Sequence, residues 1–191
     1  MGEEKGADYY DKHINRFLAP LETSPWKDLY VEVLSYLSSS EDMGTIIDLG
    51  CGTGRLARLL VNHGYTDYFG IDFSKNAIQE ATAYVPEATF VMGDLYDRYI
   101  LEIIQTYRTF IILEVLEHLE RDREVIASLP KGSRVIISVP NFDNESHVRT
   151  FSNIEAIEER YESLLTIEDH VTLVRNKEKD RFIYVCLCTK Q

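Results

Sequence analysis

Basic residues are in short supply. The chain holds 20 Lys and Arg against 32 Asp and Glu, a formal net charge of −12 over 191 residues. Such a field repels phosphate backbones, which proteins grip with Lys and Arg, and no Lys/Arg cluster offsets it locally. Nucleic acid is therefore disfavoured as a partner. Cysteine is almost absent: Cys51, Cys186 and Cys188 stand without any C-x-x-C pair. That excludes a disulfide framework and gives no sign of structural zinc, and a reducing cytoplasm fits best. Cys186 and Cys188, two apart, point to one face of a strand. No apolar run approaches the roughly 20 residues that a bilayer helix needs, so no membrane contact is expected. The start, Met1-Gly2-Glu3-Glu4-Lys5-Gly6, is charged and lacks the apolar core of a secretory leader. Repeats and low-complexity stretches are missing too. What is there is ordinary for a globular protein, with 45% hydrophobic and 27% charged residues. The length suits one α/β domain over residues 1–191. Nothing in the chain sets an oligomeric state.

The most informative segment runs from Thr45 to Ala57. A short β-prone apolar stretch ends in Asp48. Three alternate glycines follow, Gly50, Gly52 and Gly54, and then a helix-forming stretch. Glycine lets backbone approach a ligand with no Cβ in the way, and a helix start offers unpaired N–H groups. Strand, turn and helix N-terminus together make a site for a nucleotide-like ligand. Dinucleotide turns read G-x-G-x-x-G, but Arg55 occupies the place of that third glycine. This disfavours an NAD-dependent oxidoreductase.

From there the chain alternates strand-like and helix-like runs. Strands are expected at Thr45–Leu49, Tyr68–Ile71, Thr89–Met92, Thr109–Leu113 and Arg134–Val139, the last stopped by Pro140. Helices are expected at Gly54–His63, Ser74–Tyr84, Leu95–Thr106 and Arg121–Ser128. Ser74 serves as an N-cap, and Tyr99, Ile100, Ile103 and Ile104 form an apolar face. Such alternation argues for a parallel sheet covered on both faces. The C-terminal part changes style, with a helix at Ile154–Tyr161. The strands Leu164–Val174 and Arg181–Cys188 follow, joined by a short charged turn that favours an antiparallel hairpin. Residues 1–43 contain helical patches such as Leu29–Leu37 and are expected to cap the sheet edge, leaving 44–191 as the core.

Three further stretches sit at expected strand ends. Asp72 in Tyr68-Phe69-Gly70-Ile71-Asp72-Phe73-Ser74 lies about 20 residues after the glycine turn, where an acidic side chain accepts from both ribose hydroxyls; it also suits a helix N-cap. Phe90-Val91-Met92-Gly93-Asp94-Leu95 is a strand followed by a Gly-Asp turn. In Glu114-Val115-Leu116-Glu117-His118-Leu119, Glu114 and His118 are four apart, so one helical turn would put them on one face. His118 there either takes a proton from an acceptor or, with Glu114, only orders the loop. Ser138-Val139-Pro140-Asn141-Phe142 and then His147 follow the fifth strand. Tyr9, Tyr10 and Trp26 either close over a ligand or simply pack.

These motifs, in this order, resemble those of the class I S-adenosylmethionine-dependent methyltransferases. The resemblance covers roughly Ile46 to Val139. It implies a single Rossmann-like, doubly wound α/β sheet, mostly parallel, finished by an antiparallel hairpin: seven strands in the order 3-2-1-4-5-7-6. The implied cofactor is S-adenosylmethionine, leaving S-adenosylhomocysteine as product. Its implied contacts are Asp48, Gly50, Cys51, Gly52, Gly54, Asp72, Phe73, Gly93, Asp94, Leu95 and Glu114. Asp48 would hold the cationic aminoacyl end, Asp72 the ribose, and Asp94 and Leu95 the adenine. His118, Glu114 and Asn141 would face a small-molecule acceptor, and no metal is assigned. An alternative is that Glu114, Glu117 and His118 with His147 look like the metal set of small-RNA 3′-terminal 2′-O-methyltransferases. Another is a subunit that binds the cofactor or a partner without turnover.

Overall fold

The computed structural model describes residues 2–39 and 44–191; Met1 and residues 40–43, part of the expected N-terminal cap, lie outside the described residues. A seven-stranded sheet forms the centre. Its strands are β1 (Ile46–Leu49), β2 (Tyr68–Asp72), β3 (Thr89–Met92), β4 (Thr109–Leu113), β5 (Arg134–Pro140), β6 (Leu165–Asn176) and β7 (Arg181–Lys190). The spatial order is β3-β2-β1-β4-β5-β7-β6, as the resemblance implies. All pairings are parallel except β5 with β7 and β7 with β6.

The central strands are apolar because both faces are covered. Ile47 and Leu49 of β1 enter one core with Phe110, Ile112, Val135 and Ile137. Ile46 points the other way, with Ile111 and Ile136, as the two-residue period of a strand dictates. Cys186 and Cys188 share the first core as free, buried thiols. Seven helices complete the layers: α1 (Ala7–Lys12), α2 (Lys27–Ser38), α3 (Arg55–Asn62), α4 (Lys75–Tyr84), α5 (Arg98–Ile103), α6 (Asp122–Ser128) and α7 (Ile154–Tyr161). The Ser74 hydroxyl accepts from Ala77 N at 3.0 Å and caps α4. No helix among the described residues is long and apolar enough to cross a membrane.

Two expectations shift. Helix α2 lies on a face of the sheet rather than its edge: Leu29, Val33 and Leu37 are buried in the second core with Ile183, Val185 and Leu187 of β7. Each such side chain contributes about 1.5–3 kcal/mol on burial, which a sheet edge could not supply. The helix expected over Leu95–Thr106 begins only at Arg98 and tightens into a 3-10 turn at Ile104–Thr106. Asp94 explains the late start. Its Oδ1 accepts from Tyr96 N at 2.9 Å and its carbonyl from Asp97 N at 2.9 Å, a local turn that competes with helix. Tyr99 consequently faces solvent, at 68% exposure, while Ile100 and Ile104 are buried.

The end of β3 is tightly packed. A methyl group added at Gly93 would lie 2.3 Å from Ile100 Cδ1 and 2.7 Å from its Cγ1. Ile100 is buried and cannot yield freely. Gly93→Ala is therefore expected to destabilise the fold by about 1–3 kcal/mol in urea unfolding, and an unchanged midpoint would show that α5 can move aside.

Candidate active site

A cavity of about 320 Å³ opens beyond the C-terminal ends of β1, β2 and β4. There the strand order departs from β1 in both directions, the crevice where open α/β sheets place ligands. The volume is sufficient for a small organic ligand.

The glycine turn forms its floor. Gly50, Gly52 and Gly54 have φ of +87°, +52° and +76°, the left-handed region where other residues are strained. The backbone N–H groups of Gly50 and Cys51 both donate to the Ile71 carbonyl, at 2.8 and 3.0 Å, tying the turn to β2. A Cβ on Gly52 would meet nothing within 4 Å, so the open space above this cavity residue is a cradle that a side chain would fill. Gly54 does not line the cavity. A Cβ there would stand 3.1 Å from Ala81 Cβ, so its smallness serves the packing of α3 against α4 and not a ligand. Gly50, Cys51, Phe73, Gly93, Asp94 and Leu95 do line the cavity.

Six carboxyl groups face this space: Glu4, Asp48, Asp72, Asp94, Glu114 and Glu117. Asp48 is 3% exposed. Tyr68 Oη donates to its Oδ2, a partner that sequence reading missed because the pairing of β1 with β2 creates it. Burial pushes the Asp48 carboxyl up to about 7, with the Tyr68 bond pulling it down and the nearby Asp72 adding to the rise. Asp72 accepts from Gly52 N at 2.9 Å through Oδ2 and from Ser74 N at 2.8 Å through Oδ1. It thus closes the turn and the start of α4 together, yet burial still holds it above the ordinary aspartate range. The cations facing the cavity do not balance this set. Arg16 pairs loosely with Glu145 at 3.9 Å, and Arg55 is spent on backbone carbonyls. A cavity so lined suits a cationic ligand and opposes a pyrophosphate.

The segment after β4 is a non-helical turn, so Glu114 and His118 do not share a helix face as expected. Glu114 sits at φ +53°, held by Ser138: Ser138 Oγ donates to Glu114 Oε1 at 2.8 Å and accepts from Glu114 N at 2.9 Å. Burial lifts its carboxyl to about 7. Both oxygens of Glu117 are fully buried without a hydrogen-bond partner. Burial, then the charge of Glu114, raises its carboxyl well above the usual range. The His118 imidazole is drawn down to about 4, chiefly by burial, so its 3.7 Å approach to Glu117 is not an ion pair at neutral pH. His118 Nδ1 donates to the Ser146 carbonyl at 2.9 Å, and His147 Nδ1 to the Phe142 carbonyl at 2.9 Å. In a neutral ring each then keeps a lone pair on Nε2. One ligand atom each from Glu117, His118 and His147 lie within 4.8 Å of one another.

Asn141 stands apart. It does not line the cavity. Its amide donates to the Asp180 carbonyl at 2.9 Å and accepts from Phe182 N at 2.7 Å, so it pins the β6–β7 turn rather than facing an acceptor. Tyr9, Tyr10 and Trp26 do line the cavity, and the Tyr10 ring lies 5.3 Å from Phe73 and 6.0 Å from His118.

Comparison with known proteins agrees with this geometry. A family described as a methyltransferase domain matches residues 46–132. A putative 23S rRNA (guanine-N(1)-)-methyltransferase of Bacillus subtilis is 26% identical over 143 residues, 70% of this chain and 51% of that protein. A ubiquinone biosynthesis O-methyltransferase of Rickettsia typhi is 32% identical over 105 residues, 49% of this chain and 40% of that protein. The chain thus spans about half or less of these curated relatives. Among solved structures, the magnesium protoporphyrin IX methyltransferase of Synechocystis with bound S-adenosylmethionine superposes with a TM-score of 0.72 at 19% identity, covering 97% of this chain and 95% of that one. Family match and sheet order agree that residues 46–132 match a methyltransferase domain and that the chain has the class I methyltransferase fold.

Proposed function

We propose that the domain transfers the methyl group of S-adenosylmethionine to a small-molecule acceptor through an O, N or C nucleophile. Bound, the cofactor supplies a methyl group already activated by its sulfonium. The residues present fit it: the space over Gly52 admits the ligand, Asp72 would face its ribose, and Asp48, whose carboxyl burial pushes up to about 7, would ionise beside an ammonium. The observation that carries the acceptor side is His118. Neutral, half-buried and fixed by the Ser146 carbonyl, it presents Nε2 as an acceptor beside Glu117. It orients a proton-bearing nucleophile and takes the proton as transfer proceeds. The net charge of −12 and a cavity of about 320 Å³ favour a small acceptor over a nucleic acid. The composition favours a cytoplasmic setting.

Asp72→Ala is expected to weaken S-adenosylmethionine binding by about 1–3 kcal/mol in calorimetry, through unpaired ribose hydroxyls; equal affinity would show that the ribose lies elsewhere. His118→Gln is expected to lower transfer of a labelled methyl group to a panel of phenols and amines by about 10²–10⁴-fold. S-adenosylhomocysteine affinity should be kept. Undiminished transfer would remove His118 from the reaction.

A second reading rests on Glu117. A fully buried carboxylate without a partner calls for a cation. Two imidazoles whose Nδ1–H groups are tied to carbonyls are the arrangement in which histidines bind metal. Glu117, His118 and His147 would hold a divalent ion, which would polarise a diol acceptor; Glu114, engaged by Ser138, stays outside the cluster. Calorimetric titration with Mn²⁺ is expected to show binding that Glu117→Gln removes, and no heat at millimolar metal would leave the metal-free reading alone.

A further inference from the structure

We propose that Arg55 is a positioning residue that latches the N-terminal segment onto the glycine turn and so builds the outer wall of the cofactor cavity. The inference rests on the assignment of the cavity to S-adenosylmethionine. Arg55 takes the place where a dinucleotide turn has its third glycine; it lines the cavity, and its guanidinium reaches across to the chain's beginning. It is 7% exposed. Its guanidinium donates to the carbonyls of Thr53 at 2.7 Å, Leu18 at 2.8 Å and Ala19 at 3.1 Å. The plane lies over the Tyr84 ring, 4.3 Å from its centroid. Thr53 adds a second tie, its hydroxyl donating to the Phe17 carbonyl at 2.7 Å. Both residues belong to the glycine turn, so the geometry of the cofactor floor and the docking of the segment are one structure.

The helical part of the segment has no buried side chain to hold it. Helix α1 has six residues and buries none of them, and the 3-10 turn at Ile14–Phe17 buries none either. A helix this short has no independent stability in water. Its other anchors are mostly polar: Asp11 accepts from Asn76 N at 3.1 Å and from the Ser74 hydroxyl, Glu4 accepts from Glu120 N at 2.7 Å, Gly2 N donates to the His147 carbonyl at 2.8 Å and Tyr9 donates to Glu145, while the Tyr10 ring packs 5.3 Å from Phe73. Yet this segment places Tyr9, Tyr10, His13, Ile14 and Phe17 against the cavity. A wall held by a few exchangeable polar bonds opens at low cost, which gives the cofactor its entry. Charge-assisted bonds from a planar, buried guanidinium close it again. Undocking also strips a buried cation of two of its three carbonyl partners, and that penalty holds the wall shut.

Arg55→Lys keeps the charge but cannot serve three carbonyls with one fork. The test reads S-adenosylhomocysteine dissociation by stopped flow and amide hydrogen exchange of peptides covering residues 7–19. Arg55→Lys should speed dissociation about tenfold, the equivalent of one lost bond to a charged group. Exchange in 7–19 should rise by a similar factor while the amides of β1 and β4 keep their protection. A purely structural role would lower stability across the sheet without moving dissociation. Thr53→Val, which removes only the hydroxyl tie, should shift both readouts the same way by less, and it carries the test if Arg55→Lys fails to fold. Unchanged exchange in 7–19 would overturn the latch. Faster exchange with unchanged dissociation would show that the segment does not wall the cofactor. Absence of S-adenosylhomocysteine binding in the wild type would overturn the cofactor reading itself, with the exchange data still deciding the latch.

Discussion

Carboxyl groups delivered to one end of a parallel sheet, without matching cations, set the character of this protein. Asp48 ends its approach to the turn in a buried bond with Tyr68, and Asp72 closes that turn by accepting from Gly52 and Ser74. Among the described residues the Glu117 carboxyl has no hydrogen-bond partner. Burial raises all three above their ordinary values, so ionising them in this cavity is costly unless a positively charged ligand offsets the charge. S-adenosylmethionine, with a sulfonium and an ammonium, is such a ligand. The same field opposes a pyrophosphate, which is why a glycine turn that resembles a dinucleotide site serves a different cofactor.

Around these groups the structure invests in holding loops still. Glu114 occupies the left-handed region, a strained state for a residue with a side chain. Ser138 stabilises it by bonding both its amide and its carboxyl. The turn after it is gathered by Arg149, which donates to the carbonyls of Leu116, Leu119 and Glu120. Arg149 in turn lies 3.4 Å from buried Asp122, which also receives Arg160 and Tyr161. Such a buried ionic network contributes more to a defined geometry than to net stability. The geometry it defines is that of Glu117 and His118.

The matched family region, residues 46–132, contains the glycine turn, Asp72, Asp94 and the Glu114–His118 turn. It contains neither His147 nor the N-terminal wall of Tyr9, Tyr10 and Trp26. The matched part of the chain thus supplies most of the cavity's carboxyl groups, and segments outside it supply His147 and the aromatic wall. The names of the relatives span quinone and ribosomal RNA methylation, and one fold hosts many functions because function resides in the site.

Periodicity and turn chemistry made the sheet legible. Apolar runs at strand length, Gly and Pro at their ends and the charged hairpin turn are local signals, and they predict all seven strands to within a residue or two. Asp48, Asp72 and Asp94 could be picked out as cavity-lining residues for the same reason, since each lies at or near the C-terminal end of its strand. Asn141 misled because its neighbours Pro140 and Phe142 place it in the right loop, and only the β5–β7 pairing shows its amide engaged by Asp180 and Phe182. Helix α5 misled because one Asp94 side chain outweighed the apolar periodicity of the run after it.

The sequence by itself therefore determined the fold class, the glycine turn and the cofactor, because these depend on contacts within a few residues or on strand ends in fixed order. Tertiary structure alone decided that Tyr68 meets Asp48, that Glu117 is buried without a partner beside two imidazoles, and that Arg55 reaches Leu18 and Ala19. Those pairings join residues about 20 to 40 positions apart, and no local pattern encodes which partner a buried polar group will find once the chain has closed around it.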